Sequence, residues 1–268
     1  MKKSTKRKLG KVSENVFIVL VHLFLFLPIV VLVWFSFNTS KMNITFEGFT
    51  TKWYFQLFKN KPLMEALINT LIIAVTSTAI SGVIGTLAAV GMSRYKFKGK
   101  TVLDSLLYIP VVIPEIVLGI SLLSVFSIAH LSLGLPTIIL AHITFSVPFV
   151  IITVRARLSG FDRAIEEAAM DLGANTFKTF MLVTLPIIMP GVLSGIMLAF
   201  TLSLDDVVIS FFTAGPGSNT LPLKIFSMVK TGVTPDVNAL STLIMLVTVI
   251  GLAISTLLQV RSIKKLKN

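Results

Sequence analysis

The amino-acid sequence predicts an all-α integral membrane protein with six transmembrane helices. Hydrophobic residues make up 54% of its 268 residues and only 13% are charged, which is about half the charged share of a soluble domain. The mean hydropathy is +0.90. Each of six stretches holds the roughly 20 mostly apolar residues that cross a bilayer at about 1.5 Å per residue. So few charges cannot cover so much apolar surface in water, which excludes a soluble globular protein.

The six predicted spans are separated by short, more polar segments. The first span follows a basic head, but it is too long for a signal peptide and no small-residue cleavage site follows, so we expect it to be retained. Inside the spans the charged side chains are Glu115, Asp205 and Asp206. We expect a basic tail at 1–15, a transmembrane domain at 16–260 and a second basic tail at 261–268. The predicted spans are 16–37, 66–93, 105–129, 131–154, 187–212 and 237–260.

Most basic residues flank one side of these spans. Because Lys and Arg accumulate on the cytoplasmic side, this distribution predicts a multi-pass protein of the cytoplasmic membrane with both termini inside. Trp34 and Trp53 fall near the opposite interface, which amphipathic rings prefer. A net charge of +12 is by itself typical of a nucleic-acid binder, but we interpret it as a topology signal and expect a lipid bilayer, not nucleic acid, as partner. The inner-flank residues are Lys2, Lys3, Lys6, Arg7, Lys8, Lys11, Arg94, Lys96, Lys98, Lys100, Arg155, Arg157, Arg163, Lys178, Arg261, Lys264, Lys265 and Lys267.

The sequence predicts neither an enzyme nor a metal site. It contains no cysteine, and its three histidines lack metal-ligand spacing. Gly99, Lys100 and Thr101 form part of a phosphate-loop pattern, but Arg94 occupies the position of the first glycine, so we expect no ATP site here. We expect His142, inside the fourth span, to be a neutral, hydrogen-bonded residue of the helix bundle.

Glycines in the second and fifth spans predict close helix packing. Gly82 and Gly85 lie in the second span, and Gly191 and Gly195 form a GxxxG pattern in the fifth. Small residues at these spacings let helices approach each other closely. Prolines inside the spans are expected to kink their helices. These are Pro28, Pro110, Pro114, Pro148 and Pro190.

The segment 158–186, between the fourth and fifth spans, predicts two short cytoplasmic helices. Ser159 or Asp162 can cap the first helix. Its apolar residues recur at i, i+3, i+4 and i+7 and form one face, with charged residues such as Glu166 on the remaining surface. The apolar positions are Ile165, Ala168, Ala169 and Leu172.

A glycine separates the two helices of this hairpin. Gly173 can adopt the positive φ that commonly ends a helix. The second amphipathic piece runs from about Thr176 to Val183. We expect it to stop at Leu185-Pro186, because proline restricts the preceding residue to extended geometry.

The hairpin resembles the EAA loop of ABC-importer permeases. The sequence has Glu167-Ala168-Ala169, three residues, Gly173, nine residues and then Val183-Thr184-Leu185-Pro186, against a family pattern of E-A-A-x3-G-x9-I-x-L-P. The resemblance implies the type I importer permease fold, in which this hairpin is the coupling helix that seats in a groove of the ATP-binding subunit. Asp171 lies one turn after Glu167, so both acids can meet basic groups of that partner. The expected coupling residues are Glu167, Ala168, Ala169, Asp171, Gly173, Leu185 and Pro186.

The three carboxylates inside the spans are candidates for a substrate path. At about 1.5 Å per residue, Glu115 lies roughly 20 Å from the inner end of its span and Asp205 and Asp206 roughly 28 Å. Such acids usually face the bundle interior or a water-filled path, although Glu115 can also be a hydrogen-bonded structural acid and the aspartates solvated interface acids. Adjacent helical residues point about 100° apart, so we do not expect both aspartates on one path. The spans hold no Lys or Arg, so we expect a mobile cation or a partner subunit to neutralise the acids.

The sequence resembles the C-type permeases of spermidine/putrescine importers over essentially its whole length. The similar segments are 53–54, 69–71, 109–110, 114–119, 204–212, 219–222 and 232–235. The resemblance implies a heterodimer with a B-type permease, two copies of an ATPase subunit that bind ATP and Mg, and a separate external polyamine-binding protein. This chain itself is expected to bind no cofactor.

Other functions remain open at this point. Relatives with much of this pattern carry other small cationic or opine-like solutes. A secondary transporter or channel would need no ATPase, but neither inverted repeats nor a selectivity ring is evident. A basic membrane scaffold for nucleic acid or anionic lipid would concentrate its charge in one patch.

Overall fold

The computed structural model describes residues 2–41, 44–229 and 234–250, which are almost entirely helical. The chain divides into two compact units, Met1–Lys61 with Ser227–Asn268, and Pro62–Phe226. A π-helical turn, Phe180–Thr184, joins α8 to α9. The α-helices are α1 (Lys2–Phe35), α2 (Lys52–Leu57), α3 (Lys61–Arg94), α4 (Lys100–Val112), α5 (Glu115–Ile128), α6 (Leu135–Leu158), α7 (Ala164–Asp171), α8 (Thr176–Thr179), α9 (Leu185–Asp205), α10 (Val208–Thr213), α11 (Leu221–Val229) and α12 (Pro235–Ile250).

Among the described residues, four helical segments are long and apolar enough to cross a membrane, and the bent pair α4 and α5 makes up to five. The four are Ser13–Phe35 within α1, then α3, α6 and Thr176–Asp205. The shorter α12 covers the first part of the predicted sixth span, whose remainder and the predicted tail at 261–268 lie outside the described residues. The predicted tail at 1–15 is helical from Lys2 onward and continues into the first span.

The third predicted span is not one continuous helix. It breaks after Val112, and α4 and α5 are bent by 112° at the break. Ile113 has an extended ψ of 137° because the ring of Pro114 disfavours a helical predecessor. Glu115 therefore begins α5, and the predicted depth of Glu115 along a straight span is wrong.

The fifth predicted span is also wrong at both ends. Helix begins earlier, at Thr176, and passes through Leu185, whose φ of −58° and ψ of −46° are helical, not extended. The π-helical turn interrupts the α-helical ladder just before Pro186, so the missing proline N–H breaks no bond. At the other end α9 stops at Asp205, Asp206 is extended with a ψ of 127°, and α10 follows as a separate short helix.

The core of the Pro62–Phe226 unit lies where α3 and α9 pack against α6. Its buried residues come from all three helices, and a second cluster joins α5, α6 and α10. The predicted close packing at glycines is confirmed. A Cβ atom at Gly82 would lie 2.9 Å from Ile196, one at Gly85 2.7 Å from Val150, and one at Gly191 2.6 Å from Arg157.

The segment after α1 folds back on itself within the first unit. Asn38 pairs with Phe49 in an isolated antiparallel bridge. The indole Nε1 of Trp53 donates a hydrogen bond to the Asn38 carbonyl at 2.5 Å. Trp53 is therefore buried, whereas Trp34 is exposed and remains suited to a membrane interface.

Replacing Gly85 by leucine should lower the stability of this unit by about 1–3 kcal/mol, because overpacking a filled helix contact has that cost. The measurement is the thermal unfolding midpoint of the detergent-purified chain. Gly91→Ala is the matched control, since nothing lies within 4 Å of a Cβ atom at that position of the same helix. Equal midpoints for the two variants would contradict the packing argument.

Candidate functional site

A cavity of about 520 Å³ opens where the two broken helices meet in the Pro62–Phe226 unit. One wall is the break between α4 and α5, and the other is the break between α9 and α10. Apolar side chains from α6 and α9 complete the lining. The lining residues that matter for the site are Pro114, Glu115, Phe145, Phe149, Asp205 and Asp206.

The structure brings the three predicted carboxylates to this one cavity. Glu115, Asp205 and Asp206 all line it. α9 ends between the two aspartates, so the 100° rotation of a continuous helix does not apply to them. Their substrate-path role stays a prediction.

The helix ends place Glu115 and Asp205 in different fields. Glu115 is the first residue of α5, where the helix dipole favours negative charge. Asp205 is the last residue of α9, where the dipole opposes it. A cation beside Asp205 would offset that repulsion. Among the described residues, neither carboxylate has an ion-pair partner.

Asp206 is held by the protein. Its Oδ1 accepts a hydrogen bond from the Ile209 N–H at 3.1 Å, and its Oδ2 accepts one from the Ser210 N–H at 2.7 Å. The carboxylate therefore caps the start of α10. Its side chain is only 5% exposed, and its Oδ2 lies 3.3 Å from His142 Nε2. No Lys or Arg of the described residues pairs with Asp206, and His142 is a partner that the expectation did not consider.

His142 links Asp206 to a chain of buried hydroxyl groups. It is fully buried, with Nδ1 at 2.7 Å from Ser203 Oγ and Nε2 at 3.2 Å from Ser210 Oγ. Ser203 Oγ lies in turn 3.3 Å from Ser77 Oγ on α3. A neutral imidazole with its proton on Nε2 satisfies these contacts, donating toward Asp206 and accepting from Ser203. The predicted hydrogen-bonded histidine is confirmed.

The cavity can therefore attract a cation through two free carboxylates. Glu115 and Asp205 are exposed to it, while Asp206 is already satisfied by two backbone N–H groups and His142. The apolar side chains in the lining suit a flexible aliphatic chain between two charged ends. In the described part of the chain, no group of three His, Cys, Asp or Glu side chains could hold a metal ion.

The first part of the predicted hairpin forms, with α7 and α8 on either side of Gly173, but its second helix does not stop at Pro186 and runs on to Asp205. Asp162 Oδ1 accepts a hydrogen bond from the Ala164 N–H at 3.0 Å, so Asp162 caps the start of α7, whereas the Ser159 hydroxyl donates to Ala156 O. Gly173 has a φ of +89°, which confirms the predicted helix end. Asn175 then caps α8 by accepting from the Lys178 N–H at 2.8 Å.

The hairpin turns its apolar residues outward. Leu172 is 91% exposed, and Ile165 and Phe177 are exposed as well. Ala169 and Leu185 are half-buried. The exposed face also carries most of the expected coupling residues, namely Glu167, Ala168, Asp171, Gly173 and Pro186.

Glu166, expected on the surface, is buried. Its Oε1 accepts from the Arg94 guanidinium at the end of α3 and from the Thr184 hydroxyl of the π-helical turn. The helical period correctly places Glu166 outside the apolar face of α7. The structure, however, buries Glu166 and leaves most of that apolar face exposed. Of the α7 side chains, Glu166 packs against the protein and Ala169 is half-buried, whereas Ile165, Glu167 and Asp171 are exposed.

Comparison with known proteins identifies the family. Residues 81–268 match the family model described as "Binding-protein-dependent transport system inner membrane component". The chain belongs to this family. It is 43% identical over 250 residues to the spermidine/putrescine transport system permease protein PotC of Escherichia coli (strain K12), covering 93% of this chain and 95% of that protein. It is 44% identical over 230 residues to the putrescine transport system permease protein PotI of the same strain, covering 83% and 82%.

Solved importer structures share the fold of this permease. A bacterial ABC transporter involved in the import of the acidic polysaccharide alginate matches with a TM-score of 0.74 and 14% identity, over 93% of this chain and 96% of that one. The MetNI methionine ABC transporter matches with a TM-score of 0.57 and 20% identity, over 76% and 95%. The chain is therefore a multi-pass membrane permease subunit of the ABC-importer type, not an enzyme, as predicted.

Sequence reasoning missed two structural contacts of the permease. His142 was recognised as a bundle residue, but nothing in the sequence joined it to Asp206, 64 positions away in the chain. Arg94 was interpreted only as a topology signal at the end of a span. The sequence did hold one signal for this contact. A basic residue ends the second span and an acidic residue, Glu166, stands beside the EAA pattern, and the two can form an ion pair.

Replacing His142 by alanine should destabilise the permease by about 1–3 kcal/mol, because Asp206 and Ser203 then lose a buried partner. The thermal unfolding midpoint of the detergent-purified chain measures this loss. His22→Ala is the matched control, since His22 is exposed on α1 and its hydrogen bond to the Ile18 carbonyl and its stacking on Phe26 both lie within its own helix. A His142→Ala midpoint equal to that of His22→Ala would contradict the buried network.

Proposed function

We propose that this chain is the membrane permease through which an ATP-driven importer moves polyamines, with spermidine or putrescine as substrate. The observation that carries the proposal is the cavity with two carboxylates, Glu115 and Asp205, that lack an ion-pair partner among the described residues. The printed functions of the similar E. coli permeases, spermidine/putrescine and putrescine transport, support the same substrate class.

The chemistry of the cavity suits a flexible polycation. Two unit charges of opposite sign about 4 Å apart attract by about 4 kcal/mol at the effective dielectric of a protein surface. A diamine carries two such charges separated by methylene groups, which can lie along Phe145 and Phe149. Spaced ammonium groups need separate acidic partners, and Glu115 and Asp205 come from opposite walls of the cavity.

The proposed assembly contains other subunits. A second, B-type permease completes the translocation path, two ATPase subunits bind ATP and Mg, and an external binding protein delivers the polyamine. The exposed face of α7 supports the ATPase contact, because it presents apolar residues beside Glu167 and Asp171. One similar structure is described as an alginate transporter in complex with a pentasaccharide-bound periplasmic protein. The termini and the hairpin are proposed to face the cytoplasm.

Replacing Glu115 by glutamine or Asp205 by asparagine should each raise the KM for spermidine about tenfold or more. One hydrogen bond to a charged group is worth about 1.5–3 kcal/mol, and 1.4 kcal/mol is tenfold in affinity. The measurement is ATP-dependent uptake of labelled spermidine and putrescine into proteoliposomes that hold the complete complex and its binding protein.

Glu65→Gln is the control for these two variants. Glu65 is an exposed acid on α3 outside the cavity lining, and its loss should leave the KM unchanged. Uptake of neither polyamine by the wild-type complex would refute the substrate class, and direct uptake assays with other labelled small cations would then identify the alternative. An unchanged KM in both cavity variants would refute the role of the two acids.

Replacing Glu167 by lysine or Gly173 by proline should abolish uptake while membrane insertion stays normal. Lysine reverses the charge that we expect to meet basic groups of the ATPase. Proline fixes φ near −65°, whereas Gly173 has a φ of +89°. Uptake and the amount of membrane-inserted chain are measured together, with Gly160→Ala as control, because no atom lies within 4 Å of a Cβ there. Normal uptake by either variant would exclude the coupling role.

A further inference from the structure

We propose that Arg94 is a positioning residue for energy coupling, which clamps the hairpin to the end of α3 so that the two move as one body. The inference rests on the proposed coupling role of the hairpin. It adds a second route from the hairpin to the cavity, through α3, beside the direct covalent route through α9.

The clamp joins three elements at one point. Arg94 is the last residue of α3, and its Nη2 donates hydrogen bonds to Glu166 Oε1 of α7 and, at 2.6 Å, to Thr184 Oγ1 of the π-helical turn. The Thr184 hydroxyl itself donates to the same Glu166 oxygen. Each of the three side chains therefore contacts both of the others.

A second contact runs from the hairpin to the same helix end. Arg163, directly before α7, donates from its Nη2 to the Ser93 carbonyl at 2.6 Å. The last turn of a helix leaves carbonyl groups without intrahelical partners, and a guanidinium there is also favoured by the helix dipole. The start of α7 is thus fixed to α3 through two independent arginines.

The Arg94–Glu166 ion pair is largely buried, whereas the outer face of α7 is exposed to a partner. The side chains of Arg94 and Glu166 are 19% and 11% exposed, so removing either leaves a poorly solvated charge without its partner. On the outer face of α7, Glu167 and Asp171 are exposed. A partner that displaces this outer face must therefore also displace the end of α3.

Helix α3 runs from the clamp along α6 and α9, which contribute lining residues to the cavity. Its glycines pack tightly, with Gly82 against Ile196 of α9 and Gly85 against Val150 of α6. Further along the helix, Ser77 reaches Ser203, which contacts His142, the partner of Asp206. Every step from Arg94 to the cavity is a packed or hydrogen-bonded contact, which is the kind of contiguous network that can carry coupling.

The chain provides a matched pair outside this route. Arg155 of α6 and Asp104 of α4 form an ion pair at 2.5 Å, and their side chains are 33% and 28% exposed. Neither residue contacts α7, α8 or the π-helical turn through any of the described ion pairs. Breaking this pair tests the general cost of losing an arginine–carboxylate contact in the same unit.

The first experiment measures transport per ATP in proteoliposomes that hold the full complex, with labelled spermidine and putrescine. Arg94→Gln and Glu166→Gln should each lower uptake per ATP hydrolysed by about tenfold, within the range of coupling between linked sites, with the KM for the binding protein unchanged. The charge exchange Arg94→Glu with Glu166→Arg should restore most of it, and Arg155→Gln should leave the ratio as in the wild type. Unchanged ratios in the single variants, or a charge exchange that restores complex yield without restoring the ratio, would overturn the proposal.

The second experiment follows the motion itself and does not depend on the substrate. The sequence has no cysteine, so spin labels can be attached at Gly91→Cys, where no atom lies within 4 Å of a Cβ, and at the exposed Ala164→Cys. The label distance in the full complex should be the same without nucleotide and with bound ATP, and should change with ATP once Arg94→Gln is added. A distance that already changes with ATP in the otherwise wild-type complex would overturn the clamp, whereas absent polyamine uptake with an unchanged distance would count only against the proposed substrate.

Discussion

A chain that breaks a helix at membrane depth must find partners for the backbone groups it frees, because lipid offers none. The cavity exists because two helices break beside each other, and Asp206 makes one of these breaks possible. Its carboxylate accepts the first free N–H groups of α10 and is held by His142. Without this cap the start of α10 would leave unsatisfied donors in a low-dielectric site, at a cost of about 1–3 kcal/mol each. The cavity wall therefore depends on one buried acid.

This arrangement divides the work among three acids that look alike in the sequence. The carboxylate of Asp206 is satisfied by contacts within the chain, whereas the carboxylates of Glu115 and Asp205 remain available to the cavity. The opposing helix dipoles add to the difference, since Glu115 begins a helix and Asp205 ends one. A cation entering the cavity would meet one acid on each wall, which matches the spaced charges of a diamine better than the single charge of an alkali ion.

The hairpin follows the opposite principle to a soluble amphipathic helix. Glu166 is buried and bound by Arg94 and Thr184, whereas Leu172 and Ile165 are exposed in the described part of the chain. The isolated chain buries little apolar surface with α7 in this orientation. In an assembly, the clamp around Glu166 fixes the orientation of α7, and the exposed apolar residues supply contact area. The same short helix can therefore be attached to the membrane unit and also bind a partner.

The sequence by itself determined the class, the apolar segments and the motifs, because these depend on local composition and spacing. Apolar length identified the membrane helices, and the E-A-A-x3-G pattern placed the hairpin and its positive-φ glycine correctly. The tertiary structure alone decided where the helices break, which acid is satisfied and which face of α7 is buried. Pro114 was visible as a kink, but the 112° bend and the pairing of Asp206 with His142 arise from contacts between distant segments. A helical period reports which residues share a face, whereas the partner of that face is set by the whole fold.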